Sequence, residues 1–113
     1  MNAAGIIVHH SACSAINGKG YDYMIMKNGS IIPATVPTDP KYIHICLEGD
    51  FSQPGAGLSP EAAEQMFLLV KLSLRLSGLM HFTMQDIYSH SEECPGSFFP
   101  WSMLVISGKD GYH

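Results

Sequence analysis

The first apolar run of the chain ends in two adjacent histidines. Residues 5–11 form a short aliphatic stretch that is typical of a buried strand. Side chains alternate across a strand, so Ile7 and His9 should share one face while Val8 and His10 share the other. The two histidines are therefore expected to have different roles, one pointing into whatever covers the first face and the other pointing away.

A second set of apolar runs predicts a hairpin. In residues 21–34, Asn28 and Gly29 lie between two β-rich segments. Both residue types tolerate the positive φ that a type I′ turn requires, so the pattern predicts a hairpin with that turn. Pro33 should restrict the second strand of the hairpin to an edge or an end of the sheet.

Two more strands are predicted further along the chain, over residues 42–51 and 86–89. Alternation in the first places His44, Cys46 and Glu48 on one face and three aliphatic side chains on the other. A polar face of this kind could line a site.

Residues 59–78 predict one long helix. Ser59 suits an N-cap, Pro60 suits the first helical position and Gly78 suits the C-cap. Part of the stretch alternates like a strand, but the whole is far longer than a typical strand. The expected fold class is α/β, a single domain over 1–113 with a central mixed sheet of about four to five strands flanked by this helix and short helices. The most buried helical stripe should comprise Met66, Phe67, Val70 and Leu74.

Composition narrows the classes of function. The 113 residues are 46% apolar and 14% charged, which indicates a compact globular chain. A net charge of −4 with only six Lys and Arg gives no basic surface for nucleic acid. No stretch is long and apolar enough to insert into a membrane, and the N-terminus does not resemble a signal peptide. The expected location is the cytoplasm, permanently or until another agent releases the protein.

Histidine and cysteine are the residues that could carry chemistry. Three widely spaced cysteines do not form a disulfide framework, and Cys46 is best explained as a buried apolar side chain. The segment "HSEEC" holds His90 and Cys94, which are typical zinc ligands. With His9 they would give the three protein ligands of a catalytic zinc. On spacing alone, ordinary structural roles are the commoner explanation for such scattered residues.

The motifs and their order resemble a known family. "IIVHHSA", "GYDYMIMKNGSII", "HICLEGDF", the helix and "IYSHSEECPGSFFPW" follow one another as in the type 2 N-acetylmuramoyl-L-alanine amidases. That family includes phage lysozyme-type amidases, muropeptide-recycling amidases and animal peptidoglycan recognition proteins. The resemblance covers about residues 5–101, and this chain would be an unusually short member.

The resemblance implies a function and a site. It implies Zn²⁺ held by His9, His90 and Cys94, and a Tyr21 that hydrogen-bonds the reacting oxygen. The reaction would be hydrolysis of the amide between N-acetylmuramic acid and L-alanine. The implied partner is peptidoglycan or a muropeptide, and the oligomeric state stays open.

Several positions depart from the family pattern. Glu92 stands where many members have Lys, Arg or Thr; it could act as an acid or base, or it could be a solvated loop charge. Cys46 stands where another branch has a glutamate base, and Glu48 is a second candidate for proton transfer. His44 could line the substrate groove or be an ordinary strand residue.

Two rival interpretations remain. One is a peptidoglycan-binding module that does not cut its ligand. The other is a structural zinc site, which would need a fourth protein ligand such as His44 or a glutamate. The sequence also leaves open whether the chain is a phage lysin, a recycling enzyme or a domain of a larger protein.

Overall fold

A computed structural model of the protein describes residues 3–13, 21–34, 39, 41–91 and 93–104. The predicted α/β class is confirmed, with five strands in one mixed sheet and one long helix. Two short 3₁₀ turns, Ala56–Leu58 and Trp101–Leu104, complete the described elements. In chain order the main elements are β1 (Gly5–His10), β2 (Tyr23–Ile25), β3 (Ile31–Pro33), β4 (Tyr42–Leu47), α1 (Pro60–Met80) and β5 (Ile87–Ser89).

The sheet order β3-β2-β4-β1-β5 places β1 between two parallel neighbours. His9 of β1 lies opposite Cys46 of β4, and Val8 lies opposite Ser89 of β5. The carboxyl ends of these three strands therefore meet at one edge of the sheet. Crevices at this edge are where open α/β sheets bind ligands.

Helix α1 packs on one face of the sheet and forms the core with it. Ile6 and Val8 of β1 are fully buried there, and the alternate residue His9 faces the other side. The predicted alternation of β1 and β4 is therefore confirmed. The buried strand residues under the helix are Ile6, Val8, Ile25, Ile43, Ile45 and Leu47, and those of the helix are Ala62, Gln65, Met66, Leu69, Ser73 and Leu76.

The helix begins as predicted but ends later, and its buried stripe is different. Ser59 Oγ accepts a hydrogen bond from the Ala62 N–H at 3.0 Å, which confirms the N-cap. Gly78 lies inside the helix, and the C-cap is His81 with φ 67°. No helix in the described part of the chain has both the length and the apolarity needed to cross a membrane.

The predicted stripe was wrong except for Met66. Phe67 is 59% exposed and Leu74 is 47% exposed, while Val70 is half-buried at the margin of the core. The helix is apolar around much of its circumference, so periodicity alone did not identify the side that faces the sheet. Ser73 and Gln65 lie on the buried side instead.

The hairpin is present, but its turn is not type I′. Gly29 has φ 91°, whereas among the described residues His81 is the only non-glycine with positive φ. Asn28 instead accepts a hydrogen bond through Oδ1 from the Ser30 N–H at 2.9 Å, a local side-chain turn that competes with the αL conformation. Pro33 ends β3, which is an edge strand as predicted.

Candidate metal centre

The two histidines at the end of β1 occupy different environments. His10 is buried against Phe51, and its Nδ1 accepts the Phe51 backbone N–H at 3.0 Å. Burial lowers the pKa of His10, and a ring nitrogen that accepts an amide proton is itself unprotonated. Asp50 Oδ1 lies 3.8 Å from His10 Nδ1. Because the ring is neutral, this carboxylate does not form an ion pair with it. His10 is therefore a packing residue, whereas His9 lies on the opposite face of the strand, towards the possible metal ligands.

Four side chains that can bind metal converge at the carboxyl edge of the sheet. They are His9, Cys13, His90 and Cys94, and their ligand atoms all lie within 4.8 Å of one another. Cys94 Sγ lies 3.7 Å from His9 Nδ1, and Cys13 Sγ lies 3.6 Å from His90 Nδ1. The structure thus brings together the three residues proposed from sequence and adds a fourth.

Two loops deliver these side chains. After β1, the Cys13 N–H bonds to the His10 carbonyl at 2.9 Å, so the chain turns back over the strand end. His90 directly follows β5, which is parallel to β1, so it arrives level with His9. The rings of His9 and His90 contact each other, with centroids 4.6 Å apart.

Gly96 fixes the position of Cys94. Gly96 has φ 104°, and a Cβ there would lie 2.3 Å from the carbonyl carbon of Phe51. The Phe98 N–H also bonds to the Phe51 carbonyl at 2.8 Å. Only glycine allows this close approach, and it holds the segment that carries Cys94 against the turn at Phe51 that follows β4.

The four residues fit a zinc ion. Imidazole nitrogen and thiolate sulfur are the usual zinc ligands, and in a tetrahedral site a sulfur and a nitrogen ligand lie about 3.6 Å apart. Burial, reinforced by His44 and His90, lowers the pKa of His9 to about 3, so its imidazole stays neutral as a ligand must be. Burial raises the pKa of the Cys94 thiol to about 12, so metal binding has to release its proton.

A hydrogen-bonded chain fixes which nitrogen of His9 faces the cluster. Asp39 Oδ2 lies 2.9 Å from His44 Nε2, and His44 Nδ1 lies 2.8 Å from His9 Nε2. The hydrogen bond from His44 lowers the pKa of Asp39, so its carboxylate is ionised and accepts. With Asp39 accepting at Nε2, His44 Nδ1 can accept from the His9 Nε2–H, an arrangement that leaves a lone pair on His9 Nδ1. Hydrogen-bond partners of this kind orient metal-binding histidines.

The other residues proposed from sequence lie elsewhere. His44 supports His9 from behind and is not among the residues that line the groove beside the cluster. Glu48 Oε1 accepts the Lys27 N–H at 2.8 Å and lines a separate cavity of about 750 Å³. Tyr21 is half-buried before β2, and no hydrogen bond joins it to the cluster within the described residues. Glu92 lies outside the described residues.

Cys13 is the member of the cluster that sequence reasoning missed. A signal for it exists, because His9 and Cys13 have the same spacing as His90 and Cys94. The chain therefore carries two His-x-x-x-Cys segments. In the fold the contacts are crossed, since each cysteine lies against the histidine of the other segment.

A groove of about 540 Å³ opens beside the cluster. Its walls are formed mostly by small and polar side chains. Its lining residues are His10, Ala12, Cys13, Asp50, Ser52, His90, Ser91, Glu93, Cys94 and Ser97.

No protein-family model and no curated protein sequence matches the chain. Solved structures do. An endolysin N-acetylmuramoyl-L-alanine amidase, LysCS from Clostridium intestinale, superimposes with a TM-score of 0.72 at 24% identity, over 95% of this chain and 84% of that one.

Two further solved structures are more distant in sequence. The amidase AmiD from E. coli, solved with the substrate anhydro-N-acetylmuramic acid-L-Ala-D-γ-Glu-L-Lys, gives a TM-score of 0.69 at 15% identity over 94% of this chain and 57% of that one. The PGRP-Hd of Alvinella pompejana gives 0.61 at 16% identity over 94% and 83%. The chain therefore has the fold shared by type 2 N-acetylmuramoyl-L-alanine amidases and peptidoglycan recognition proteins, as its motifs predicted.

Proposed function

We propose that the protein is a zinc-dependent amidase that hydrolyses the bond between N-acetylmuramic acid and L-alanine in peptidoglycan or muropeptides. One observation carries the proposal. His9, His90 and Cys94 converge at the carboxyl edge of the sheet in a fold that solved amidases share. A role in cell-wall lysis or turnover follows, and the endolysin neighbours support a released lysin.

The residues of the chain have distinct tasks in this proposal. A bound zinc would supply a Lewis acid and a water acidic enough to react near neutral pH. The hydrogen bond between His9 Nε2 and His44 Nδ1 holds the His9 ring so that Nδ1 points to the cluster. Tyr21 is proposed to donate a hydrogen bond to the developing oxyanion. This role rests on the resemblance of the motif and not on a hydrogen bond between Tyr21 and the cluster.

A proton must reach the leaving amine of alanine. The loop that carries Cys94 also carries Glu92 and Glu93, and Glu93 lines the groove. We assign proton delivery to a carboxyl group of this loop. Glu48 is a weaker candidate because its carboxylate is engaged by the Lys27 N–H.

The experiment is direct. Purified protein is incubated with peptidoglycan, with zinc or with a chelator, and newly freed L-alanine amino termini are measured. We expect release that needs zinc and that is lost in His90→Ala and Cys94→Ala. Zinc-loaded protein that frees no L-alanine amino termini would overturn the proposed enzyme activity, and activity that survives both substitutions would overturn the proposed site.

A second candidate is a peptidoglycan-binding module without catalysis. The similarity to PGRP-Hd and the presence of a fourth possible ligand, Cys13, favour it. Co-sedimentation with insoluble peptidoglycan, combined with the assay for freed amino termini, distinguishes the two candidates. A binding module would sediment with the polymer and release no amino termini.

A further inference from the structure

Cys13 is the one member of the metal-binding cluster that the proposed reaction does not need. A catalytic zinc uses three protein ligands and leaves one position for water, whereas a structural zinc has four. His9, His90 and Cys94 already supply three. Cys13, a second thiol and a fourth possible ligand, lies within 4.8 Å of all of them and changes what the site can do at rest.

The geometry of Cys13 matches that of the proposed ligand Cys94. Its Sγ lies 3.6 Å from His90 Nδ1, against 3.7 Å between Cys94 Sγ and His9 Nδ1. Both values are close to the edge of about 3.6 Å expected between sulfur and nitrogen in a tetrahedral zinc site.

An ordered turn holds Cys13 in place. The N–H groups of Ser11, Ala12 and Cys13 bond to the carbonyls of Leu47, Gly49 and His10 at 3.0, 3.3 and 2.9 Å. Three successive backbone bonds therefore direct this side chain back over the end of β1.

The third cysteine shows that proximity alone does not define the cluster. Cys46 lies on the same face of the sheet, one strand away, yet its Sγ contacts the Leu47 carbonyl and it is fully buried. Within the described residues it does not belong to the group of four.

We propose that Cys13 is a fourth protein ligand of the same metal, so that the resting site is closed as Cys₂His₂. The regulatory consequence rests on the proposed amidase function. Hydrolysis requires an open position, so the Cys13 sulfur would have to leave the metal when substrate enters the groove. The thiolate would then act as a cap on the enzyme.

Cobalt substitution tests the coordination without relying on activity. Metal-free protein is loaded with Co²⁺, and the near-ultraviolet thiolate-to-cobalt absorption per bound metal is compared among wild type, Cys13→Ser and Cys46→Ala. Two thiolate ligands predict that Cys13→Ser loses about half of this absorption. The matched control Cys46→Ala should keep all of it, and an equal absorption in wild type and Cys13→Ser would overturn the proposal.

The release of L-alanine amino termini separates this inference from the proposed function. If Cys13 caps the enzyme, zinc-loaded Cys13→Ser should free these amino termini several-fold faster than wild type. Slower release by a Cys13→Ser protein that retains zinc would overturn the cap. A halved cobalt absorption with no release by either protein would support the fourth ligand and contradict the amidase.

Discussion

His9 and His44 are joined through their rings, with 2.8 Å between Nε2 of His9 and Nδ1 of His44. Because Asp39 accepts from the far nitrogen of His44, the three side chains form one directed chain of hydrogen bonds. Its effect is to turn Nδ1 of His9 towards Cys94. The support of this proposed metal ligand therefore comes from His44 on the neighbouring strand β4.

Replacing His44 should weaken the metal site. His44→Phe keeps a ring of similar size but removes the acceptor for His9, so we expect zinc affinity to fall about 10- to 100-fold. Competition with a chromophoric chelator measures it. The control is His81→Asn, which alters an exposed histidine at the helix end. Unchanged affinity in His44→Phe would show that His9 needs no partner.

The buried, neutral His9 should make the metal-free protein sensitive to mild acid. In the unfolded chain its pKa is near 6.5, whereas burial lowers it to about 3 in the fold. Between these values the unfolded state binds more protons, so stability is highest above pH 6.5 and is lost as the pH falls towards 3. We expect the free energy of unfolding to drop by about 2 kcal/mol from pH 7 to pH 5.

Urea denaturation at the two pH values, with chelator present, measures this change. His9→Gln removes the titrating group, so its stability should depend less on pH even if the protein is less stable overall. Equal stability of wild type at pH 7 and pH 5 would contradict the assignment.

The strands and the histidine faces could be predicted because alternation is a local property. It separated His9 from His10, and the order of motifs pointed to His90 and Cys94. Cys13 could not be placed in the same way, because its position depends on backbone bonds to Leu47 and Gly49, more than thirty residues away.

The side of the helix that faces the sheet could not be predicted from the local sequence pattern either. Phe67 and Leu74 are apolar but exposed, while Gln65 is 1% exposed. Gln65 is buried because its Nε2 donates to the carbonyls of Ile25 and Glu48 at 3.1 and 2.9 Å, at the ends of two strands. Tertiary hydrogen bonding therefore decided a position that hydrophobicity would have assigned to solvent.

Removing the amide of Gln65 should destabilise the fold. Gln65→Met keeps the length of the side chain but removes the donor to the Glu48 carbonyl and leaves the Ile25 carbonyl with only the Glu48 N–H, at a cost of about 1–3 kcal/mol. Chemical denaturation measures the change. Glu64→Met on the exposed side of the same helix should alter stability by no more than about 0.5 kcal/mol. Equal effects of the two substitutions would exclude the role given to Gln65.

Two glycine substitutions should have opposite effects on stability, and only one should affect the metal site. Gly96→Ala places a Cβ 2.3 Å from the Phe51 backbone at φ 104°, so we expect a loss of about 2 kcal/mol or more. Because the clash moves the segment that carries Cys94, zinc affinity should fall as well.

Gly78→Ala meets no atom within 4 Å and lies inside the helix, so it should stabilise the protein by about 0.5–1 kcal/mol. Zinc affinity should not change in that variant. If Gly96→Ala lowered stability but left zinc affinity intact, the close approach of Gly96 to Phe51 would support the fold without positioning Cys94.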